Sequence, residues 1–131
     1  MLVVVSIDQR YPGHATQIAH LAAQCGTAAY GGRYVIVVDD DIDIYDLSDV
    51  LWAVLTRSDP AQDIDIIRRA WSSPLDPMVP DGAVPFNSRG LIDATIPWER
   101  RDSFPAVVVE PDYARETRRK WGHLLDRTPG E

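Results

Sequence analysis

The chain has 131 residues, a net charge of −7, a hydrophobic fraction of 45% and a charged fraction of 25%. This size and composition are typical of one globular domain, which we expect to span residues 1–131 and to bury about two-thirds of its unfolded surface. The acidic balance argues against non-specific binding to nucleic acid or to an anionic membrane, and no apolar stretch is long enough to span a bilayer.

The first half of the chain predicts alternating strands and helices. The valine-rich run Leu2–Ile7 predicts a buried strand, so we expect the chain to begin in a strand without a leader sequence. Apolar residues at helical spacing follow: Ala15, Ile18, Ala19, Ala22 and Cys25. Tyr34–Val38 predicts a second buried strand, and Asp46 or Ser48 can cap the next helix. The predicted inner face of that helix comprises Val50, Leu51, Val54 and Leu55.

The second half predicts three further strands and a final helix. Asp63–Arg68 alternates polar and apolar residues, as a half-exposed strand does, and Gly90–Thr95 and Ala106–Val109 are further strand candidates. Pro111 suits the first turn of the last helix. The apolar stripe of that helix comprises Ala114, Thr117, Trp121 and Leu124. This order of elements predicts right-handed crossovers and a three-layer α/β/α sandwich around a mostly parallel, mixed sheet.

The acidic run VVDDDIDIYDLSD suggests a calcium loop, but its spacing excludes one. A calcium loop that began at Asp39 would need glycine at the position of Ile44 and glutamate at the position of Val50. A strand end with solvated acids and a helix cap explains the run. The alternative is that one of the acids orders a loop beside a site.

The histidines and the cysteine do not form a metal set. His14, His20 and Cys25 are six and five residues apart, whereas two ligands on one helical face need a spacing of three or four. Cys25 lies on the predicted apolar face, where a thiol is inert, and a lone cysteine suits a reducing cytoplasm. The turn IDQRYPGHA has one glycine where a dinucleotide-binding turn has three, so no NAD site is expected.

Four segments follow one another in the chain: VSIDQRYPGHA, YVIVVDDDIDIYDLSDVLWAVLTRSDP, SSPLDP and LIDAT. Together they resemble the C-terminal domain of the UbiD-like decarboxylases, whose namesake is polyprenyl-hydroxybenzoate carboxy-lyase. The similarity runs from about Val3 to Trp121. It implies (de)carboxylation of aromatic or α,β-unsaturated acids with prenylated FMN, a divalent metal (Mn or Mg) and potassium.

The resemblance also implies where substrate would lie. In the family, the flavin, the metal ligand and a Glu-Arg-Glu catalytic set belong to a preceding domain, so no catalytic, cofactor-binding or metal-binding residue is expected in this chain. The expected substrate-pocket residues are Gln9, Tyr11, Pro12, His14, Leu55 and Thr56. Tyr11 and Leu55 would form apolar walls for a flat ring, while Gln9 or His14 would hydrogen-bond a ring substituent.

Two groups of these residues also have a purely structural interpretation. In the first, Pro12 and Gly13 shape the turn and His14 caps the helix, without any contact to a substrate. Arg57 could form an ion pair with Asp59 or with an acid of the DDDID turn, or it could anchor the domain against a partner.

The absence of the flavin domain leaves three hypotheses. The chain is a small subunit that completes the substrate pocket of a separate flavin-binding subunit, for reversible non-oxidative decarboxylation. Alternatively, it is a non-catalytic assembly or small-ligand-binding domain, or a truncated fragment. In each case the chain alone is expected to bind no flavin and to be inactive. The family also implies a homo-oligomer with Trp121 and Leu124 in the interface, unless the last helix folds back on its own sheet.

Overall fold

The computed structural model describes residues 1–105 and 109–125, which form one sheet with helices on both faces. The strands are β1 (Leu2–Ile7), β2 (Tyr34–Asp39), β3 (Ile64–Trp71) and β4 (Phe86–Ala94). The helices are α1 (His14–Gln24), α2 (Gly26–Gly31), α3 (Leu47–Arg57) and α4 (Pro111–Leu125), with a short 3₁₀ helix at Trp98–Arg100.

The sheet has the strand order β1-β2-β4-β3. β1 pairs with β2 and β2 pairs with β4 in parallel, whereas β3 is an outermost strand and runs antiparallel to β4. α1 packs on one face and α3 on the other, which confirms the predicted α/β/α sandwich with a mostly parallel, mixed sheet. The carboxyl ends of β1, β2 and β4 form one edge, here called the carboxyl edge, and their amino ends form the amino edge.

The core depends on the alternation of side chains along β2. Val35 and Val37 pack on the α1 side, while Ile36 and Val38 pack on the α3 side. The α1 face contributes small side chains, which let the helix lie close to the sheet: Ala15, Ala19 and Ala23. Because both faces of β2 are covered, its residues form one continuous apolar run, which is why the sequence predicts this strand so well.

The predicted inner face of α3 is partly wrong. Leu51 and Leu55 are exposed, Leu55 to 82%. The buried residues of the helix are Val50, Ala53 and Arg57, with Val54 partly buried beside them. These positions are three, four and seven residues after the first, as expected for one helical stripe. The apolar residues alone indicate the wrong inner face, because a charged residue, Arg57, belongs to the buried stripe.

Element boundaries also differ from the predictions. Asp46, not Ser48, caps α3, and Asp46 Oδ1 accepts a hydrogen bond from the Ser48 N–H at 2.8 Å. β4 begins at Phe86 rather than at Gly90, and α2 was not predicted. The predicted strand Ala106–Val109 falls on residues that, apart from the last, lie outside the described part of the chain.

α4 begins at Pro111, as predicted, but it does not cover the sheet. Its stripe is exposed, with Trp121 at 48% and Leu124 at 55%. Among the described residues, neither core cluster includes a side chain of α4.

Candidate functional site

A cavity of about 500 Å³ lies at the carboxyl edge. Its lining comes mostly from the loop after β1, the end of α3 with the loop that follows it, and the end of β4 with the loop that follows it. The lining residues are Gln9, Pro12, Gly13, Thr16, Thr56, Arg57, Ser58, Asp59, Gln62, Asp63, Asp93, Thr95, Pro97, Trp98, Glu99, Arg100 and Phe104. We call it the carboxyl-edge cavity. Ligands of open α/β sheets usually bind outside the carboxyl ends of the strands, so this cavity is the candidate site.

Arg57 forms ion pairs with two aspartates, Asp39 and Asp41, at the carboxyl edge. Arg57 Nη1 donates to Asp39 Oδ2 at 3.0 Å and to Asp41 Oδ1 at 2.8 Å, and Nη2 donates to Asp41 Oδ2 at 2.6 Å. The hydrogen bond from Arg57 lowers the pKa of Asp41, and the same bond raises the pKa of Arg57. Arg57 therefore pairs with the strand-end acids rather than with Asp59.

Asp39 also holds the surrounding loops together. Its Oδ2 accepts from the Ile96 N–H at 2.6 Å, and its Oδ1 accepts from Gln9 Nε2 at 2.9 Å. Gln9 Nε2 donates further to the Ile96 carbonyl at 2.9 Å. The two amide N–H groups of Gln9 thus join the loop after β1 to the end of β2 and to the loop after β4, and the side chain is buried.

Two polar atoms beside the cavity lack a protein partner. Within the described residues, Arg57 Nε and Ser58 Oγ are buried and make no hydrogen bond. The side chain of Arg57 is only 4% exposed, and buried polar groups are paired in the great majority of cases. Both residues line the carboxyl-edge cavity.

Asp93 is an acid of the cavity whose pKa is raised. Its Oδ1 accepts from the Thr95 N–H at 3.0 Å and from Thr95 Oγ1 at 2.7 Å. Burial raises the pKa of Asp93, the bonds from Thr95 oppose that rise, and the charges of Asp63 and Asp39 add to it. A carboxyl group in this environment favours a hydrogen-bond donor as its neighbour.

The predicted pocket residues fall into two groups. Gln9, Pro12 and Thr56 line the carboxyl-edge cavity. The other three are next to lining residues in the chain but lie on the surface or are half-buried: Tyr11, His14 and Leu55. Tyr11 donates its hydroxyl to Gln17 Oε1 at 2.7 Å, and its ring lies 4.5 Å from the ring of His14 between centroids.

The turn between β1 and α1 depends on glycine. Gly13 has a φ of 81°, a left-handed conformation that other residues adopt only with strain. Gly13 also occupies the N-cap position, so His14 is the first residue of the helix rather than its cap. His14 Nδ1 instead accepts from the Arg10 N–H at 3.4 Å.

Sequence reasoning missed Asp93, Ser58 and Trp98 as lining residues. Asp93 stands one residue before the end of a strand that is parallel to β2, and that position was a usable signal once LIDAT was assigned to a strand. Ser58 directly follows the end of α3, Trp98 begins the 3₁₀ helix, and no sequence pattern marks either as a lining residue.

The amino edge contains a second buried arginine. Arg89 is 2% exposed. Its Nη2 donates to the carbonyls of Ala29 and Trp71 at 2.5 Å each, its Nη1 donates to the carbonyl of Ala23, and its Nε donates to Asn87 Oδ1 at 3.4 Å. Burial lowers the pKa of Arg89. This side chain joins α1, α2 and β3.

Two negative findings apply to the described part of the chain. Within residues 1–105 and 109–125, no group of three or more His, Cys, Asp or Glu side chains is placed so that it could hold a metal ion. Over the same residues, none of the helices has both the length and the apolarity needed to cross a lipid bilayer.

The fold and the cavity define an α/β domain with a polar site at the carboxyl edge of its sheet. The family model described as the 3-octaprenyl-4-hydroxybenzoate carboxy-lyase C-terminal domain matches residues 1–94. The chain therefore belongs to the UbiD family and corresponds to the C-terminal domain of its members, as the resemblance predicted.

Individual relatives agree with this assignment. An uncharacterized protein from Archaeoglobus fulgidus is 37% identical over 123 residues, which are 91% of this chain and 24% of that protein. The UbiD-class enzyme HmfF from Pelotomaculum thermopropionicum, solved in complex with FMN, is 30% identical with a TM-score of 0.68, over 86% of this chain and 24% of that one.

The vanillic acid decarboxylase of Sedimentibacter hydroxybenzoicus, in its open form, is 30% identical with a TM-score of 0.71. The match covers 97% of this chain and 27% of that one. The chain thus spans about a quarter of the length of the relatives that it matches.

Proposed function

We propose that this chain, as a single domain over residues 1–131, completes the substrate pocket of a UbiD-class carboxy-lyase whose flavin is held by a separate subunit. The observation that carries the proposal is the carboxyl-edge cavity, because it is a preformed polar site on the part of a decarboxylase that the chain represents. The reaction of the complex would be the reversible, non-oxidative decarboxylation of an aromatic or α,β-unsaturated acid.

The residues of the cavity do not fit a flavin. Four carboxylates line it, those of Asp59, Asp63, Asp93 and Glu99, against the two arginines Arg57 and Arg100, and this acidic excess would repel the phosphate of FMN. The charge of Arg57 is already balanced by Asp39 and Asp41. We therefore assign prenylated FMN, the divalent metal (Mn or Mg) and potassium to the separate subunit, and we expect the chain alone to be inactive.

The proposed contribution of this chain is to position and enclose the substrate. Tyr11, Leu55 and His14 stand out from the carboxyl edge, where a partner could lie over them. The exposed ring of Tyr11, the half-buried ring of His14 and the aliphatic surface of Leu55 would form the apolar wall of a shared pocket. The vanillic acid decarboxylase has been solved in open and closed forms, which favours a domain that closes over its substrate.

The test has two stages. A pull-down from the native host, followed by mass spectrometry, should recover a flavin-binding UbiD-like subunit. In the complex, Tyr11→Ala and His14→Ala should lower turnover by about a hundredfold, the usual size of positioning effects, while assembly stays intact. Tyr30→Ala is the matched control, since Tyr30 has similar exposure but packs on Trp71 at the amino edge. Equal turnover of all three variants and the wild type would contradict the proposal.

We further propose that α4 joins copies of the chain into a homo-oligomer through Trp121 and Leu124. Both side chains are large and exposed, and the flanking Arg118 and Lys120 keep the rest of the helix polar. Light scattering should show an oligomer that Trp121→Ala dissociates, because a buried interface tryptophan contributes about 2 kcal/mol or more. Trp71→Ala, also exposed, is the control.

A second candidate function is a non-catalytic assembly or small-ligand-binding domain in the cytoplasm. The cavity supports it, because this volume suits a small molecule without a partner. The single cysteine, which is exposed and free, supports a reducing compartment. Failure to recover any flavin-binding subunit, together with ligand binding by the chain alone, would favour this function. A truncated fragment would show neither property.

A further inference from the structure

We infer that the outer face of α3 receives α4 of a second copy of the chain, so that in a dimer the last helix of each copy lies on α3 of the other. The inference rests on the homo-oligomer proposed above and deepens it, because it names the surface that Trp121 and Leu124 contact. That surface, here called the leucine ridge, comprises Leu47 and Leu51 on α3 and Tyr45 just before the helix.

The leucine ridge is apolar surface that α3 does not bury against its own sheet. Leu47 and Leu51 are exposed, and Tyr45 is 93% exposed. The two leucines are four residues apart, so they lie one turn apart on the same face of the helix. Single exposed apolar residues are common, but several together on one face mark an interaction surface. The next position along this face is Leu55, which belongs to the proposed pocket wall.

α4 has a stripe of side chains with the same spacing. Tyr113, Thr117 and Trp121 are four residues apart, and all three are exposed. Rows of side chains four residues apart on two helices fit into each other's grooves, which is the commonest way that helices pack in globular proteins. The stripe of α4 and the leucine ridge can therefore pack against each other.

The charges around the two surfaces are opposite. Asp43, Asp46 and Asp49 lie in the loop before α3 and in its first turn. The helical repeat places Arg118 and Lys120 on either side of the stripe of α4. Among the described residues, none of these five side chains forms an ion pair. Contact between the helices would bring the cations to the carboxylates, which favours this pairing and steers its approach.

A second exposed apolar surface lies on the sheet, but its neighbouring charges do not suit α4. This surface is a row of side chains across the strands that comprises Leu2, Tyr34 and Ile66. Arg68 and Arg69 lie beside it on β3, and both are exposed. They would repel the basic side chains of α4, so the leucine ridge is the better receiving surface.

A second copy is the occupant because a single chain leaves both surfaces open. Trp121 and Leu124 remain exposed, and so do Leu47 and Leu51. Two copies related by a two-fold axis would form the same contact twice, since each copy offers one helix and one ridge. The area buried is then double that of a single contact, as a stable dimer requires.

Light scattering over a range of chain concentrations tests the leucine ridge. Leu47→Ser and Leu51→Ser should each weaken the dimer by about 10-fold, because each removes an apolar side chain from the interface. The matched control is Leu21→Ser. Leu21 is exposed to a similar extent but lies on α1, at the other face of the sheet, so this variant should dimerise like the wild type.

Charge variants test the polar contacts beside the ridge. Lys120→Glu should weaken the dimer by about 10-fold at low salt and by less at high salt, because it places a carboxylate opposite carboxylates. Arg119→Glu makes the same charge change on the side of α4 that faces away from the stripe. It should change the affinity by about 2-fold or less.

Disulfide trapping tests the arrangement itself. In chains that carry Cys25→Ser, one chain receives Ser48→Cys beside the leucine ridge and another receives Thr117→Cys in the stripe of α4. Oxidation of the mixture should link the two kinds of chain, which mass spectrometry identifies. Ser88→Cys on β4 is the control for the sheet surface and should not link to Thr117→Cys.

Three results would overturn the inference: a monomeric wild type, leucine variants that dimerise as tightly as the control, or a cross-link from α4 to Ser88→Cys instead of Ser48→Cys. The second and third would leave an oligomer that Trp121→Ala still dissociates, so they separate this inference from the proposed homo-oligomer. None of the three affects the recovery of a flavin-binding subunit, which tests the proposed completion of the substrate pocket.

Discussion

Two buried arginines, one at each edge of the sheet, are held in opposite ways. Arg89 at the amino edge has hydrogen bonds on all three guanidinium nitrogens, and three of its four acceptors are backbone carbonyls. Arg57 at the carboxyl edge pairs with two carboxylates, and its Nε, beside a cavity, has no partner among residues 1–105 and 109–125. The pKa of Arg89 is lowered by burial, whereas that of Arg57 is raised by Asp41.

This difference distinguishes a structural arrangement at the amino edge from a candidate site at the carboxyl edge. At the amino edge, four of the five N–H donors of Arg89 bond to acceptors on the surrounding elements. At the carboxyl edge, the strand-end acids hold more charge than Arg57 balances, and within the described residues Arg57 Nε and Ser58 Oγ make no hydrogen bond. Surplus polar groups of this kind are costly in a core and are expected where a ligand or partner supplies the missing contacts.

The largest expected effect comes from removing either arginine. Arg57→Met should lower the free energy of unfolding by about 3–5 kcal/mol, because it leaves the buried carboxylate of Asp39 without its counterion. Arg89→Met should lower it by about 2 kcal/mol, because the lost hydrogen bonds are partly offset by relief from burying an uncompensated charge. Urea unfolding measures both.

Arg68→Met is the control for these variants, since Arg68 is exposed and its loss should change stability by no more than about 0.5 kcal/mol. A larger loss of unfolding free energy for Arg89→Met than for Arg57→Met would contradict this ranking of the two edges. It would mean that the amino-edge carbonyls, not the strand-end acids, dominate the energetics of the two edges.

A smaller effect is expected from pH, and it has opposite signs at two acids of the carboxyl edge. The folded-state pKa of Asp41 is lowered from 3.8, so its stabilising contribution is present above pH 3.8 and is lost as the pH falls through the lower folded value. The folded-state pKa of Asp93 is raised from 3.8, so its contribution is present below pH 3.8 and is lost as the pH rises through the higher folded value.

Asp93→Asn should therefore be more stable than the wild type at pH 7, and Asp41→Asn should be less stable. Each difference should be about 1 kcal/mol or less, because Asp41 is half exposed and its pair is screened by solvent. Unfolding at pH 7 and at successively lower pH measures both, and both differences should shrink in acid. Asp81→Asn should track the wild type throughout. A destabilised Asp93→Asn at pH 7 would contradict the assigned cause.

The sequence predicts the fold better than the site for physical reasons. Strands covered on both faces, such as β2, are continuous apolar runs, so their period and length identify them. The first half of β4 escaped prediction because it includes buried polar residues, Asn87 and Arg89, whose partners come from distant segments. Local patterns cannot reveal a polar residue that is buried by long-range hydrogen bonds.

The candidate site shows the same limit. The loop after β1 and the end of α3 could be proposed from the family resemblance, and Gln9, Pro12 and Thr56 do line one cavity. The sequence left two pairings open for Arg57, and only the structure distinguishes Asp41 from Asp59 as its partner. Asp93 lies at the site because β4 pairs with β2, and the paired residues are more than fifty positions apart in the chain.

The central claim is that the carboxyl edge, not the amino edge, meets a flavin-bearing partner. Hydrogen–deuterium exchange of the chain with and without the flavin-loaded subunit tests it most directly. We expect slower exchange in residues 9–16, 55–59 and 93–100, with no change in residues 72–85 at the amino edge. Protection confined to residues 72–85, or no protection in a complex that turns over substrate, would contradict it.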